Sequence, residues 1–191
     1  KKDYILKIIE FSIKFNEYII KKKLKINLIF TSTATIYGIT KTNQIVNEKF
    51  PNNPISTYDK SKLVFEKIFK NYSKGNNLNF VSLRLTNIYG QHSMKKQLNR
   101  GFLNKLIINC INNKIIKIFG KGYNRRSYIY IDDLINALLI SEKKIKKLNA
   151  KIYLICNNKS YSFNQLINIV GNLLKKRIKI KKINYPMEIH M

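Results

Sequence analysis

The sequence predicts an α/β protein built on a parallel sheet, and three observations carry that prediction. Segments with apolar residues at helical spacing alternate along the chain with short apolar runs. Leu28-Ile29-Phe30-Thr31-Ser32 is a run of the kind found in a strand covered on both faces. The 191 residues give room for one domain with a sizeable core, or one domain and a small lobe.

Ile5, Ile8, Ile9, Ser12, Phe15 and Ile19 recur at close to the helical period, which predicts a helix over 3–20. The lysine-rich turn Lys21 to Lys25 ends it, and strand Leu28–Ser32 follows. Residues 39–57 are polar and hold Pro51 and Pro54, so they read as a long irregular connection. A second helix is expected from about Thr57 to Ser73, with Leu63, Ile68, Phe69 and Tyr72 inward and Gly75 as its stop. Phe80–Leu85 is the next strand, and Phe102, Leu106, Ile107, Cys110 and Ile111 predict a helix over 102–112. Strands at Ile115–Phe119 and Tyr128–Ile131 flank the turn Gly120-Lys121-Gly122. Asp132 is read as the cap of a short helix over 133–142, and Lys151–Cys156 as a strand. Ser162 and Gln165 have capping-box spacing and open a helix to about Leu174. Ile178–Ile183 is the last strand.

The net charge is +27, from 37 Lys and Arg against 10 Asp and Glu. Lys, Asn and Ile together make 90 of the 191 residues, and all three have A- and T-rich codons, so base composition accounts for the bias. Arg is the preferred reader of phosphates and bases, yet only 5 of the 37 cations are Arg. The lysines are spread along the whole chain, so a specific nucleic-acid partner is not expected. Weak, salt-sensitive polyanion binding is. Apolar residues at 45% and charged residues at 25% exclude disorder, collagen and coiled coil. No apolar run approaches the roughly 20 residues a bilayer span needs, so no membrane association is expected. No secretory signal is visible, and a chain opening on Lys1 is expected to be part of something longer. Cys110 and Cys156 sit among apolar residues and read as small core residues in a reducing, cytoplasmic setting. His92 and His190 cannot build a zinc site without further ligands, and no metal is expected.

Three features stand in an order that one chemistry requires. Strand Leu28–Ser32 delivers Thr31-Ser32-Thr33 at its carboxyl end, where open α/β sheets bind ligands. Tyr58 and Lys62 lie four apart, on one helix face, where an ammonium stabilises phenolate and lowers a reference pKa of about 10. That makes Tyr58 a candidate general base. Arg84-Leu85-Thr86-Asn87-Ile88-Tyr89-Gly90 then follows the next strand. A bare Tyr-x-x-x-Lys in a chain rich in both residues usually marks a solvated face; the ordered set is more specific.

Residues 30–38 (Phe-Thr-Ser-Thr-Ala-Thr-Ile-Tyr-Gly), 56–63 (Ser-Thr-Tyr-Asp-Lys-Ser-Lys-Leu) and 83–90 match in register a known pattern. Ile118-Phe119-Gly120-Lys121-Gly122 leading to Arg126-Ser127-Tyr128-Ile129-Tyr130-Ile131-Asp132-Asp133 extends it. From about Asn27 onward the chain resembles the extended short-chain dehydrogenase/reductases, the NAD-dependent nucleotide-sugar epimerases and dehydratases, and among them the UDP-glucose 4-epimerase-like members. The resemblance implies a partial Rossmann-type parallel sheet with a small C-terminal α/β substrate-binding lobe. Residues 1–90 would be the C-terminal part of the NAD-binding domain, and 91–191 the lobe with interleaved Rossmann segments. It implies NAD as cofactor, a nucleotide-diphosphate sugar as substrate in polysaccharide-precursor metabolism, and a homodimer through the helices at 3–20 and 57–73.

Residue roles follow from the same resemblance. Tyr58 would act as base or acid on a sugar hydroxyl, and Lys62 would hold the nicotinamide ribose. Thr33 would hydrogen-bond the reacting oxygen and help relay its proton. Thr86 would lie against the nicotinamide, Asn87 would contact the nucleotide sugar, and Arg126 would pair with the diphosphate. Asp132 and Asp133 read as a helix start. The 4,6-dehydratases place Asp-Glu directly after the hydroxyl residue; here stand Ala34 and Thr35, which favours C4 epimerisation. Reduction, dehydration and an inactive family member remain alternatives. The chain departs from the pattern at Asp59, where the family often has Gly, and it contains no Gly-x-x-Gly-x-x-Gly fingerprint. Two or three βα units are therefore expected to precede it.

Overall fold

The structure, a computed structural model, describes residues 2–41, 44–75, 77–91 and 101–184. In chain order the elements are α1 (Lys2–Lys21), β1 (Ile26–Thr33), a short 3₁₀ turn (Ala34–Tyr37), α2 (Thr57–Tyr72), β2 (Leu78–Leu85) and β3 (Asn87–Tyr89). They continue with α3 (Phe102–Ile111), β4 (Ile116–Phe119), β5 (Arg125–Tyr130), α4 (Ile131–Lys143), β6 (Lys151–Ile155), β7 (Ser160–Ser162), α5 (Phe163–Leu174) and β8 (Ile180–Ile183). The chain divides into two units, Lys1–Thr86 with Asp132–Cys156, and Asn87–Ile131 with Asn157–Met191.

The first unit is a parallel sheet in the order β1-β2-β6. Its central strand β2 is buried on both faces, and the two-residue period of a strand divides its side chains. Phe80, Ser82 and Arg84 face α2, while Val81 and Leu83 face a second cluster with Ile145. On the α2 side Ile19, Phe69, Leu78 and Phe80 form the core, joined by Phe15, Phe30 and Phe65. Phe30, Phe65 and Phe69 stack in sequence, with ring centres 4.1 Å and 4.2 Å apart. Each fully buried phenylalanine contributes about 1.5–3 kcal/mol of burial. The helical face expected for α1 is the one turned inward, with Ser12 and Ile19 fully buried. Along its two flanks Tyr4, Phe11 and Tyr18 on one side and Leu6, Ile13 and Ile20 on the other are exposed, and the face opposite the core carries Glu10, Lys14 and Glu17.

The second unit pairs β3 with β5 in parallel, β5 with β7 antiparallel, and β4 with β8 in parallel. Leu103, Leu106 and Cys110 of α3 pack with Ile116, Ile118 and Tyr128, and with Leu166, Ile167 and Val170 of α5. The capping box that opens α5 is present: Ser162 Oγ accepts Gln165 N–H at 3.1 Å, and Gln165 Oε1 accepts Ser162 N–H at 2.9 Å.

Some expectations are corrected. Asp132 does not cap α4; the helix starts at Ile131, and Asp132 and Asp133 lie in its first turn, where the helix dipole favours negative charge. The antiparallel strand β7 and the short β3 have three residues each, too short to leave a periodic signal. Cys110 is a core residue as expected, but Cys156 is exposed, one residue beyond the end of β6. His92 and His190 lie outside the described residues. Among the described residues no His, Cys, Asp and Glu side chains gather in threes to hold a metal, and no helix is long and apolar enough to cross a membrane.

Candidate active site

Strand β1 ends at Thr31-Ser32-Thr33, on the carboxyl edge of the first unit's sheet. Thr33 caps the 3₁₀ turn. Its Oγ1 accepts Thr35 N–H at 3.2 Å and lies 2.8 Å from Thr35 Oγ1. The turn closes on Gly38, whose φ of 74° and approach to the Asn53 carbonyl leave no room for a β-carbon. From Thr35 the hydroxyl donates to Asp59 Oδ1. The other oxygen, Asp59 Oδ2, accepts from Ser56 N at 3.1 Å and from Ser56 Oγ at 2.7 Å. Ser56 Oγ in turn accepts Asp59 N–H, so the pair is a capping box that starts α2. Asp59 is 6% exposed. Burial pushes its carboxyl up, but the hydrogen bonds from Thr35 and Ser56 outweigh that and hold it below the usual carboxylate value.

Tyr58 and Lys62 project from the same face of α2, one turn apart. Lys62 Nζ donates to the Thr31 carbonyl at 2.9 Å and lies 4.6 Å from the centre of the Phe30 ring and 5.6 Å from that of Tyr58. The ammonium therefore ties the dyad to the end of β1. Tyr58 is half exposed, and its pKa is raised, first by burial and then by the charges of Asp59 and Tyr4. The expected lowering of the phenol by Lys62 is not found in the free protein. Nζ is engaged by the Thr31 carbonyl, while the adjacent residue Asp59 places a negative charge beside the phenol. Burial lowers Lys62 itself, partly offset by Glu66.

Thr86 follows the end of β2, one residue beyond the pairing of Leu85 with Thr33. Its N–H and its hydroxyl both donate to the Ile155 carbonyl, at 3.2 Å and 3.1 Å. Thr33, Tyr58, Lys62 and Thr86 thus belong to the first unit. Asn87 and Arg126 belong to the second. Asn87 donates its amide to the Ser127 carbonyl at 3.0 Å and pairs in register with Tyr128. Arg126 is exposed on β5, where its backbone pairs in register with Tyr161 and its positive charge partly offsets the burial that raises the Tyr128 phenol. Its neighbour Arg125 is bound to Ser160 and Gln165.

Two features of the site escaped the sequence reading. The Asp59 carboxylate was legible as a Ser-x-x-Asp capping box, a spacing that fixes both residues at a helix start. The other is the buried Glu66–Arg84 ion pair with Ser82 and Asn52 around it. Nothing in the sequence pairs a helix glutamate with a strand arginine 18 positions later.

Residues 1–156 match the model of the NAD dependent epimerase/dehydratase family. The chain is 35% identical over 132 residues to a dTDP-D-glucose 4,6-dehydratase of Dictyostelium discoideum, covering 64% of this chain and 29% of that protein. It is 31% identical over 147 residues to a putative UDP-glucose 4-epimerase of Methanocaldococcus jannaschii, covering 75% and 45%. The fold is shared with the UDP-N-acetylglucosamine 4-epimerase of Methanobrevibacter ruminantium, solved with UDP-N-acetylmuramic acid, at a TM-score of 0.79, 24% identity and coverage of 94% and 56%. It is shared as well with the dTDP-glucose 4,6-dehydratase of Bacillus anthracis in complex with NAD, at 0.76, 23% identity and coverage of 92% and 54%. The chain spans about half or less of the length of these relatives. With a parallel α/β sheet, a hydroxyl at the end of its first strand and a Tyr-Lys pair beside it, the chain belongs to the NAD-dependent epimerase/dehydratase family.

Proposed function

We propose that the full-length protein inverts C4 of a nucleotide-diphosphate sugar through a bound keto intermediate, using NAD. The observation that carries this choice is the state of the acid next to Thr33. Dehydration needs a carboxyl group there to expel hydroxide from C6, but Ala34 and Thr35 follow Thr33. The neighbouring carboxylate Asp59 is held below its usual pKa with both oxygens occupied, so it has no proton to give at neutral pH. In favour of dehydration stands the 35% identity to a dehydratase, which does not supply the missing acid.

The residues present fit the nicotinamide-ribose end of NAD, because Lys62 and Thr86 stand at the carboxyl edge of neighbouring strands. No glycine fingerprint for the pyrophosphate occurs in these 191 residues. When bound, NAD supplies the two-electron acceptor. Tyr58 takes the proton of the sugar hydroxyl and returns it after the sugar has turned. Lys62 places the ribose and keeps a positive charge over the Tyr58 ring. Thr33 hydrogen-bonds the reacting oxygen, Asn87 contacts the nucleotide sugar, and Arg126 pairs with its diphosphate. A homodimer through α1 and α2 belongs to the same reading, supported by the six exposed apolar side chains on α1.

The test incubates the full-length protein with nucleotide-glucose donors and follows the sugars by NMR. A C4 epimer is the expected product. A 4-keto-6-deoxy sugar accumulating without any C4 epimer overturns the choice.

A further inference from the structure

The aromatic stack beneath α2 ends on a charge. Tyr58, Lys62, Phe65 and Phe69 follow one another at spacings of four, three and four, which puts them on one face of the helix. Phe69 stacks on Phe65, and Phe65 on Phe30 of β1, with ring planes 28° and 20° apart. Phe30 also lies against Phe80 of β2, with ring centres 6.5 Å apart. Its ring is thus held from two elements, and over this ring stands Lys62 Nζ, 4.6 Å from the centre. β1 offers the ammonium a ring face from one residue and a carbonyl from the next, Thr31, at 2.9 Å. The Tyr58 ring is farther from Nζ, at 5.6 Å, and half exposed.

The charged groups around Lys62 have other partners. Glu66, one turn further along α2, bears on it but forms its ion pair with Arg84 of β2. Tyr4 of α1 and Asp59 bear on Tyr58, and Asp59 is taken up by Thr35 and Ser56. An ammonium drawn out of water needs compensation. A ring face supplies it, because its quadrupole puts negative charge over the ring centre and attracts a cation within about 6 Å. Ordering a flexible lysine in advance also spares that cost when a ligand binds.

Resting on the assignment of Lys62 to the nicotinamide ribose, we infer that Phe30 is a positioning residue, which holds the Lys62 ammonium over its ring at the end of β1 and so presents the cofactor with a lysine already ordered and charged. This role is separable from packing. A ring of the same shape with a weaker quadrupole fills the core as well but holds the ammonium less firmly. Burial pushes Lys62 below its ordinary value, with Glu66 partly offsetting it. Weakening the ring face pushes it further down, because the charged form alone gains from the quadrupole.

Phenylalanines with one, two and three ring fluorines at position 30 of the full-length protein make this comparison, since fluorine withdraws charge from the ring face and changes its volume little. Lysine labelled with ¹³C at the ε carbon reports the Lys62 titration by NMR, and Lys62→Arg assigns its signal. Without cofactor, the titration is expected to move down in step with fluorine number, by roughly half a unit to one unit at three fluorines, with the urea midpoint unchanged. Phe30→Leu, which stays apolar but loses the ring, should move it at least as far. A Lys62 titration that stays in place across the fluorine series and in Phe30→Leu overturns the proposal. NAD affinity should fall about two- to tenfold along the same series. An affinity that holds level in the series, while Lys62→Met loses NAD, overturns it as well. If Lys62→Met binds NAD like the wild type, the ribose assignment falls, and the titration still decides whether Phe30 holds the ammonium.

Discussion

Glu66 and Arg84 form a buried ion pair 2.6 Å long that bolts helix α2, which carries Tyr58 and Lys62, to the central strand β2. Both side chains are almost wholly buried, at 1% and 2% exposure. Ser82 donates to the carboxylate at 2.9 Å, and the guanidinium donates to Asn52 at 2.8 Å and stacks over the Tyr37 ring. Burial alone would lower the Arg84 pKa, but the Glu66 carboxylate more than compensates and raises it. Because Tyr58 and Lys62 ride on the same helix, the pair fixes the height of the dyad above the end of β1.

Removing one partner strands the other charge in the core. Arg84→Leu or Glu66→Leu is expected to cost about 3–5 kcal/mol, read as a lowered urea midpoint. The double variant Arg84→Met with Glu66→Leu should recover most of the loss. A double variant no more stable than the worse single one would show that the charges do not act as a pair.

Tyr58→Phe removes the proton acceptor. Turnover of the full-length enzyme should fall by a factor on the order of 10²–10⁴, with NAD affinity nearly unchanged. Lys62→Met should weaken NAD binding as well, because it removes the donor at the edge of β1. Equal NAD affinity in the two variants contradicts the division of roles.

In the protein without cofactor, the Tyr58 phenol should titrate above the ordinary value of about 10, since burial and Asp59 both disfavour phenolate. Tyrosine labelled with ¹³C at the phenol carbon reports it by NMR, with Tyr58→Phe assigning the signal. Asp59→Asn removes a negative charge and should move the titration down. A Tyr58 titrating well below ten without cofactor would refute this account.

Asp59 has a folded pKa below its unfolded value of about 3.9. Its contribution to stability is therefore complete above the unfolded value and disappears as pH falls through the folded one. The stability difference between the wild type and Asp59→Asn should shrink on acidification through that window. A difference that stays constant from neutral pH down to about 2 excludes the linkage.

Without the glycine fingerprint, the 191-residue chain by itself should show no micromolar affinity for NAD in calorimetry. Micromolar binding would mean that the nicotinamide end alone suffices.

The sequence determined what is local. Helical period placed the inward face of α1, an apolar run marked β1, and the spacing of Ser162 and Gln165 marked the start of α5, because these signals need only near neighbours. It also placed Tyr58 and Lys62 on one face, since four residues make one helical turn. Tertiary structure decided what lies between elements. That Lys62 is engaged by the Thr31 carbonyl, and that burial first and Asp59 second raise the free Tyr58 phenol, depends on how α2 lies against β1. The pairing of Glu66 with Arg84, and the return of the chain to the first sheet through β6, join residues whose contact is fixed by packing of distant segments. The placement of α2 against the 3₁₀ turn links Thr33 through Thr35 to the Asp59 carboxylate. Its charge survives burial because the Thr35 hydroxyl, the Ser56 hydroxyl and the Ser56 amide converge on it. Spacing along a chain encodes which side chains share a face; only folding decides which of them share a proton.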